Sequence, residues 1–212
     1  MYRKAFLAFL FAAVVLPCSA QEVGGWNFNI GGGVGFPLRN TSNFINDGAN
    51  VVVGAGPNFG RFFGIDGEFM WQNFPINQSV LALTGAPAAS ARQYSLTGNV
   101  IFRIPTGTRL GLYAIGGGGW YRASGELTTP TVVPGTICAP FYVFWGVCTS
   151  GLIPVNAVIA SRSENAFGGN IGGGLSFRLR GRTKFYTEVR YHHASYSIGT
   201  TDILPLTFGL RW

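Results

Sequence analysis

The sequence predicts an all-β fold: an eight-stranded antiparallel up-and-down transmembrane β-barrel with short periplasmic turns and long extracellular loops. Three observations lead there. Stretches of about ten residues alternate large apolar with small or polar side chains, the period that turns one strand face to lipid and the other to a lumen. The connections between those stretches alternate short and long. Charged residues are only 11% of the 212-residue chain, while glycine supplies 32 residues and aromatics 15%; an average soluble domain carries about 25% charged residues. A secreted soluble β-sandwich is the competing architecture.

The chain opens with a basic head, Tyr2-Arg3-Lys4, an apolar run from Ala5 to Leu16, and small residues up to Ala20. That order is a secretory signal, predicted to be cleaved after Ala20, leaving 21–212 as one barrel domain. Cys18 leaves with the signal on this reading; Pro17 before it argues against a lipidated cysteine. Beyond Ala20 no apolar run reaches the roughly 18 residues of a membrane helix, and aromatic and β-branched residues are too frequent for disorder. Export, low charge and the absence of such a run together place the expected barrel in a bacterial outer membrane.

Each strand follows from its alternation. Trp26, Phe28, Ile30, Val34 and Phe36 share one side of the first, opposite Asn27, Asn29, Gly31, Gly33 and Gly35; Val51, Val53 and Ala55 mark the second. In the third, Ile65, Gly67, Phe69 and Trp71 oppose Asp66, Glu68, Met70 and Gln72. In the fourth, Tyr94, Leu96, Val100, Phe102 and Ile104 oppose Gln93, Ser95, Thr97, Asn99 and Arg103. The fifth is expected to turn Tyr113, Ile115 and Tyr121 outward and Ala114, Gly116, Gly118 and Arg122 inward. Phe167, Ile171, Leu175, Phe177 and Leu179 define the sixth, against Asn170, Ser176 and Arg178. Val189 and Tyr191 oppose Glu188, Arg190 and His192 in the seventh, and Leu204, Leu206, Phe208, Leu210 and Trp212 alternate along the eighth.

Segments 58–63, 105–109 and 180–184 are the short connections; 38–48, 73–92 and 124–163 are long, with 197–201 closing the last hairpin. Counting from a periplasmic Trp26, every short turn falls on the periplasmic side. Arg61, Arg109, Arg180, Arg182 and Lys184 then gather at that rim, read as solvated or lipid-headgroup contacts and not as a nucleic-acid site. Aromatics are expected in belts at the two membrane surfaces: Trp26, Phe62, Phe63, Phe102, Tyr113, Phe177, Phe185 and Trp212 inside, and Trp71, Phe74, Tyr94, Tyr121, Phe167 and Tyr191 outside.

The signal peptide, Gly31-Gly32-Gly33-Val34-Gly35, Gly64-Ile65-Asp66-Gly67-Glu68-Phe69, Glu188-Val189-Arg190-Tyr191 and the aromatic end together resemble the small outer-membrane barrels of the OmpA and OmpX type, over roughly Trp26 to Trp212. The resemblance implies that Leu206, Phe208, Leu210 and Trp212 form the signal read by the barrel-assembly machinery. It specifies architecture far better than activity.

Eight strands leave a lumen that side chains can fill, so a water-filled pore is not expected, and a small-solute porin is kept as an alternative. The inward acids Asp66, Glu68 and Glu188 and the arginines Arg103, Arg122, Arg178, Arg190 and Arg211 are expected to pair into a plug. Asp66 and Glu68 as a catalytic carboxylate pair are the weaker reading. The glycine runs 54–56 and 168–172 open no helix and are followed by no Gly-Lys-Ser/Thr, so they do not cradle phosphate.

Cys138 and Cys148 bracket an aromatic run in the longest loop, and in an oxidising compartment they are expected to form a disulfide; two cysteines without a nearby histidine make no metal site. Phe141, Tyr142, Phe144 and Trp145 between them are a contact patch for a partner or a lid on the barrel mouth. His192 and His193 point to opposite faces, so they cannot hold one ion together. His193, Ser195 and Asp202 share outward parity and resemble the Ser-His-acid triad of the lipid A deacylase barrels, with Ser195 as nucleophile, His193 as base and Asp202 as orienting acid. The chain departs from that family, whose acid is a glutamate further along and whose Asn-Pro-Gly segment is missing here.

The reading is therefore a non-enzymatic outer-membrane barrel without cofactor. Its loops serve envelope integrity, adhesion or surface recognition. Its expected partners are outer-membrane lipids, the assembly machinery and an extracellular protein or surface ligand.

Overall fold

A computed structural model describes residues 25–84, 88–104, 106, 108–137 and 149–212. The expected signal peptide, the Cys138–Cys148 bridge and the patch Phe141, Tyr142, Phe144 and Trp145 lie outside the described residues. Eight strands run in order: β1 (Trp26–Pro37), β2 (Gly48–Phe59), β3 (Phe63–Pro75), β4 (Ala88–Ile104), β5 (Leu110–Ile137), β6 (Thr149–Arg180), β7 (Thr183–Tyr196) and β8 (Gly199–Arg211). A 3-10 turn at Arg39–Asn43 and one short helix, α1 (Gln78–Thr84), sit in the long connections. Each strand pairs antiparallel with the next, and β8 returns to β1, closing the barrel. At the seam Trp212 and Phe28 exchange both backbone hydrogen bonds, each 3.0 Å.

The alternation is resolved into two faces of opposite chemistry. Phe69, Val100 and Leu210 point outward and are 42%, 46% and 40% exposed, while Asp66, Glu68 and Arg190 inside are at most 2% exposed. A soluble sandwich would invert that arrangement. Inward glycines stand where large inward side chains cross the lumen. A Cβ at Gly174 would lie 2.5 Å from the Tyr113 hydroxyl, and one at Gly54 would lie 2.6 Å from both Asn29 Nδ2 and Glu68 Cγ.

Strand β5 departs from expectation. Tyr113, Ile115 and Tyr121 are buried inside, whereas Arg122 is exposed on the outer face. Cross-strand register explains it: residues directly opposite share a face, and Ile101, inward on β4, pairs with Ile115. Tyr113 and Tyr121 therefore leave the aromatic belts and fill the lumen. Phe74, expected in the outer belt, is likewise inward and 1% exposed, because it follows Asp66, Glu68, Met70 and Gln72 at even spacing.

The long connection between the fifth and sixth strands is also not a loop. β5 and β6 stay paired from Leu110–Phe177 to Ile137–Thr149, with one irregularity at Leu127/Thr128. From the Ala123–Glu164 pair to the Ile137–Thr149 pair, these paired strands run roughly 45 Å at about 3.3 Å per residue, as a two-stranded ribbon over the part beyond Thr128. β4 accompanies it only to Thr128, and β7 reaches β6 only as far as Gly168. Among the described residues, both outer edges beyond those points are unpaired. Pro130, Pro134 and Pro154 lie there, a position proline tolerates because no neighbouring strand needs its missing N–H.

Candidate functional site

The lumen holds a charged bridge. Arg190 on β7 donates through Nε to Glu188 Oε1 at 2.9 Å and through Nη2 to Glu68 Oε1 at 3.2 Å, with closer contacts from Nη1 to Glu68 and from Nη2 to Glu188. Both glutamates accept further hydrogen bonds. Asn99 Nδ2 donates to Glu68 at 2.8 Å and the Tyr113 hydroxyl to Glu188 at 2.9 Å. Asn170 extends the chain to Asn99 at 2.9 Å, and Asn29 donates to Asp66. Arg211 lies 3.8 Å from Glu188, its guanidinium 4.8 Å from the centroids of both Tyr113 and Tyr186. His192 is buried with Nδ1 3.0 Å from the Tyr121 hydroxyl.

Three arginines assigned to the lumen by sequence lie elsewhere. Arg122 is outside and donates to Ser163 at 3.0 Å; the register of β5 put it there. Arg178 is exposed and Arg103 only half-buried, both at the short-turn mouth of the barrel. Inward parity is not enough at a strand end, where the lumen already opens to solvent. Arg103 donates instead to Asn58 Oδ1 at 2.6 Å.

At the opposite rim, His193 and Asp202 are directly paired across β7 and β8. His193 Nδ1 stands 2.8 Å from Asp202 Oδ1, and Ser195 Oγ stands 3.3 Å from His193 Nε2. The chain leaving β1 covers the acid: the Asp202 N–H donates to Thr41 Oγ1 at 3.0 Å, and the Leu38 N–H donates to the Asp202 carbonyl at 2.8 Å. Tyr191 also hydrogen-bonds Asp202, and the Arg39 guanidinium lies 6.0 Å from the Tyr191 ring. Asp202 is shielded, while Ser195 and His193 open outward.

The ribbon base is tied down by polar contacts. Arg92 meets Glu126 at 3.3 Å, and Arg162 Nε donates to Glu164 at 3.1 Å. Ser197 in the last turn donates to Glu164 at 2.9 Å. Those hydrogen bonds, from Arg162 first and then Ser197, hold the half-buried Glu164 carboxyl below its ordinary range. Higher up, Val132, Leu152 and Val158 share one ribbon face and are each more than half exposed. Among the described residues, no group of three His, Cys, Asp or Glu is placed to hold a metal.

Residues 5–211 match the outer-membrane protein beta-barrel domain family. The chain belongs to that family. Its place is therefore the bacterial outer membrane, with the apolar outer face against lipid. This outer-membrane barrel is similar in fold to Neisserial surface protein A, at 12% identity and a TM-score of 0.57, covering 90% of this chain and 98% of that one. Ail of Yersinia pestis gives 17% identity and a TM-score of 0.49 over 89% and 99% of the two chains. OprG of Pseudomonas aeruginosa gives 14% and 0.42 over 89% and 96%. No curated protein matches by sequence.

Sequence reasoning passed over two structural features of this outer-membrane barrel. The ribbon was hidden by its prolines, although the runs of Thr, Val and Ile at 127–133 and 152–159 are strand-like. The clustering of cations at the short-turn mouth was seen, but not that part of it faces into a cavity.

Proposed function

We propose that this outer-membrane barrel is a non-conducting, non-enzymatic surface protein whose β5–β6 ribbon and external loops engage an extracellular protein or surface ligand. The carrying observation is the ribbon itself: a long two-stranded arm bearing exposed Val132, Leu152 and Val158 on one face. A soluble surface rarely leaves such an apolar strip uncovered without a contact to make. Below the arm, the Arg190–Glu68–Glu188 bridge and the tyrosines around it act as a plug, consistent with a scaffold and not with a porin. Outer-membrane lipids surround the barrel. Leu206, Phe208, Leu210 and Trp212, all on the outer side of the closing strand, are the residues the assembly machinery reads.

Planar-bilayer recording tests the plug. The purified protein is expected to show no stable open steps at moderate voltage; reproducible steps of fixed amplitude would make it a small-solute porin.

A second reading has its own observation, the Ser195–His193–Asp202 arrangement. In it, His193 Nε2 takes the Ser195 proton as Oγ attacks an acyl ester carbonyl. Asp202 holds Nδ1–H and stabilises the imidazolium. Collapse of the adduct breaks the ester C–O bond, the alkoxide leaves with the proton from His193, and water then releases the acyl group from Ser195. The outer-leaflet rim suits a lipid ester such as that of lipid A. Mass spectra of lipid A from cells expressing the protein decide between the two. The non-enzymatic reading expects an unchanged acyl pattern; an acyl loss that Ser195→Ala abolishes replaces it with the hydrolase.

A further inference from the structure

The three short turns and the strand ends beside them surround a cavity of about 640 Å³ at the short-turn mouth of the barrel, the side that short turns take toward the periplasm in outer-membrane barrels. Arg61, Arg103, Arg109, Arg178, Arg182, Lys184 and Arg211 all line it, and among the described residues no aspartate or glutamate does. Cations in that number, unrelieved by lining acids, repel one another. A protein gains nothing structural from gathering like charges in a concave space, so the arrangement is a cost unless an anion enters.

Arg211 at the floor gives the second, independent sign. It is 5% exposed, yet its Nε and Nη2 have no hydrogen-bond partner among the described residues. Its ring neighbours, Tyr113 and Tyr186, hold the plane of the guanidinium, and Glu188 at 3.8 Å is beyond hydrogen-bond range. Buried N–H donors are almost always paired. A planar guanidinium with two free donors matches two oxygens of a phosphate, and Arg103, Arg178 and Lys184 around it can neutralise the charge.

We propose that the periplasmic mouth is a binding site for a phosphate-bearing anion, seated on Arg211 and ringed by Arg103, Arg178 and Lys184. Two sources share that chemistry: the headgroup of an anionic phospholipid from the inner leaflet, or a soluble phosphate compound in the periplasm. Trp26 and Trp212 also line the cavity, which places its edge beside the lipid boundary.

The test uses the full folded chain in zwitterionic micelles, its folding checked by gel mobility before and after boiling. Calorimetric titration with inorganic pyrophosphate at fixed ionic strength, with sodium chloride as control, is the soluble arm. Native mass spectrometry after adding phosphatidylglycerol or phosphatidylcholine is the lipid arm. Saturable pyrophosphate binding, weakened about tenfold or more in Arg178→Gln/Lys184→Gln as expected for a lost charge-assisted contact, supports a soluble ligand. Stoichiometric retention of phosphatidylglycerol but not phosphatidylcholine, lost in the same variant, supports the headgroup. Arg162→Gln, on the other side of the membrane, should leave either result unchanged. Absence of both signals, or binding that the mouth variant does not weaken, overturns the proposal.

Discussion

Arg190→Met is expected to destabilise the folded barrel by about 3–5 kcal/mol, the range seen when one partner of a buried ion pair is removed. The substitution would strand two carboxylates at once. Glu68 and Glu188 are 2% and 3% exposed, and Arg190 is the cation that hydrogen-bonds both. Asn99 and Tyr113 would still donate to them, and Arg211 would still lie 3.8 Å from Glu188. Those contacts soften the loss without replacing a doubly hydrogen-bonded charge. Unfolding by guanidinium in detergent, followed by tryptophan fluorescence, reads the change in midpoint. The triple variant Glu68→Gln/Glu188→Gln/Arg190→Met removes all three charges together and should recover most of the loss, since neutral replacements of a buried network are often well tolerated. A single variant that unfolds at the parental midpoint would mean the bridge contributes nothing to holding the lumen.

Excising residues 129–158 and joining the stumps with a short turn should leave the barrel intact and remove surface binding entirely. The barrel wall does not need the arm: the segment removed from β5 lies wholly beyond its last pairing with β4, and the segment removed from β6 lies beyond its last pairing with β7. Heat-dependent gel mobility should therefore persist. Binding of the parental protein in nanodiscs to an extracellular surface preparation, compared with the excised form, supplies the second readout. A milder form replaces Val132, Leu152 and Val158 with serine, which keeps the arm and removes its apolar strip. Equal binding by the parental and excised proteins would move the contact function off the ribbon.

How much of this could be read in advance depends on what each residue answers to. Phe28, Phe69, Val100 and Phe208 face lipid, and lipid demands a uniformly apolar surface, so their period-two spacing was plain. The lumen makes no such demand. It needs filling, and a side chain with a greasy ring and a polar tip fills it as well as a charged one. Tyr113 reaches Glu188 and Tyr121 reaches His192 through their hydroxyls, yet in sequence both look like members of a lipid-facing set. The glycines and alanine between them offer no contrary signal, and the face of β5 was set by register with β4. Likewise the acids and arginines of the lumen were visible as inward residues, but not who would meet whom. Glu68 comes from the third strand and Arg190 from the seventh, on opposite sides of the cylinder. Arg122 and Arg178 had the right charge at the wrong height or on the wrong side. The rim triad was legible because it needs only parity and one tight hairpin, both local.

The seam between the first and last strands differs in kind from the other seven junctions. Those seven join neighbours along the chain and can zip from a turn, whereas this one must bring together segments with the whole intervening sequence between them, at the greatest loop-closure cost. Glycines 31, 33 and 209 line its lumen face, so on that side it offers little side-chain interlocking; it is held by the backbone ladder and, on the lipid face, by Ile30 against Leu210, Val34 against Leu206 and the stacked rings of Phe28 and Trp212. The wall is thus a sheet with a latch. Its fastening should be the last event in assembly and its loosening the first in unfolding, with amide exchange at Ile30, Gly31 and Gly209 running ahead of exchange elsewhere in the strands.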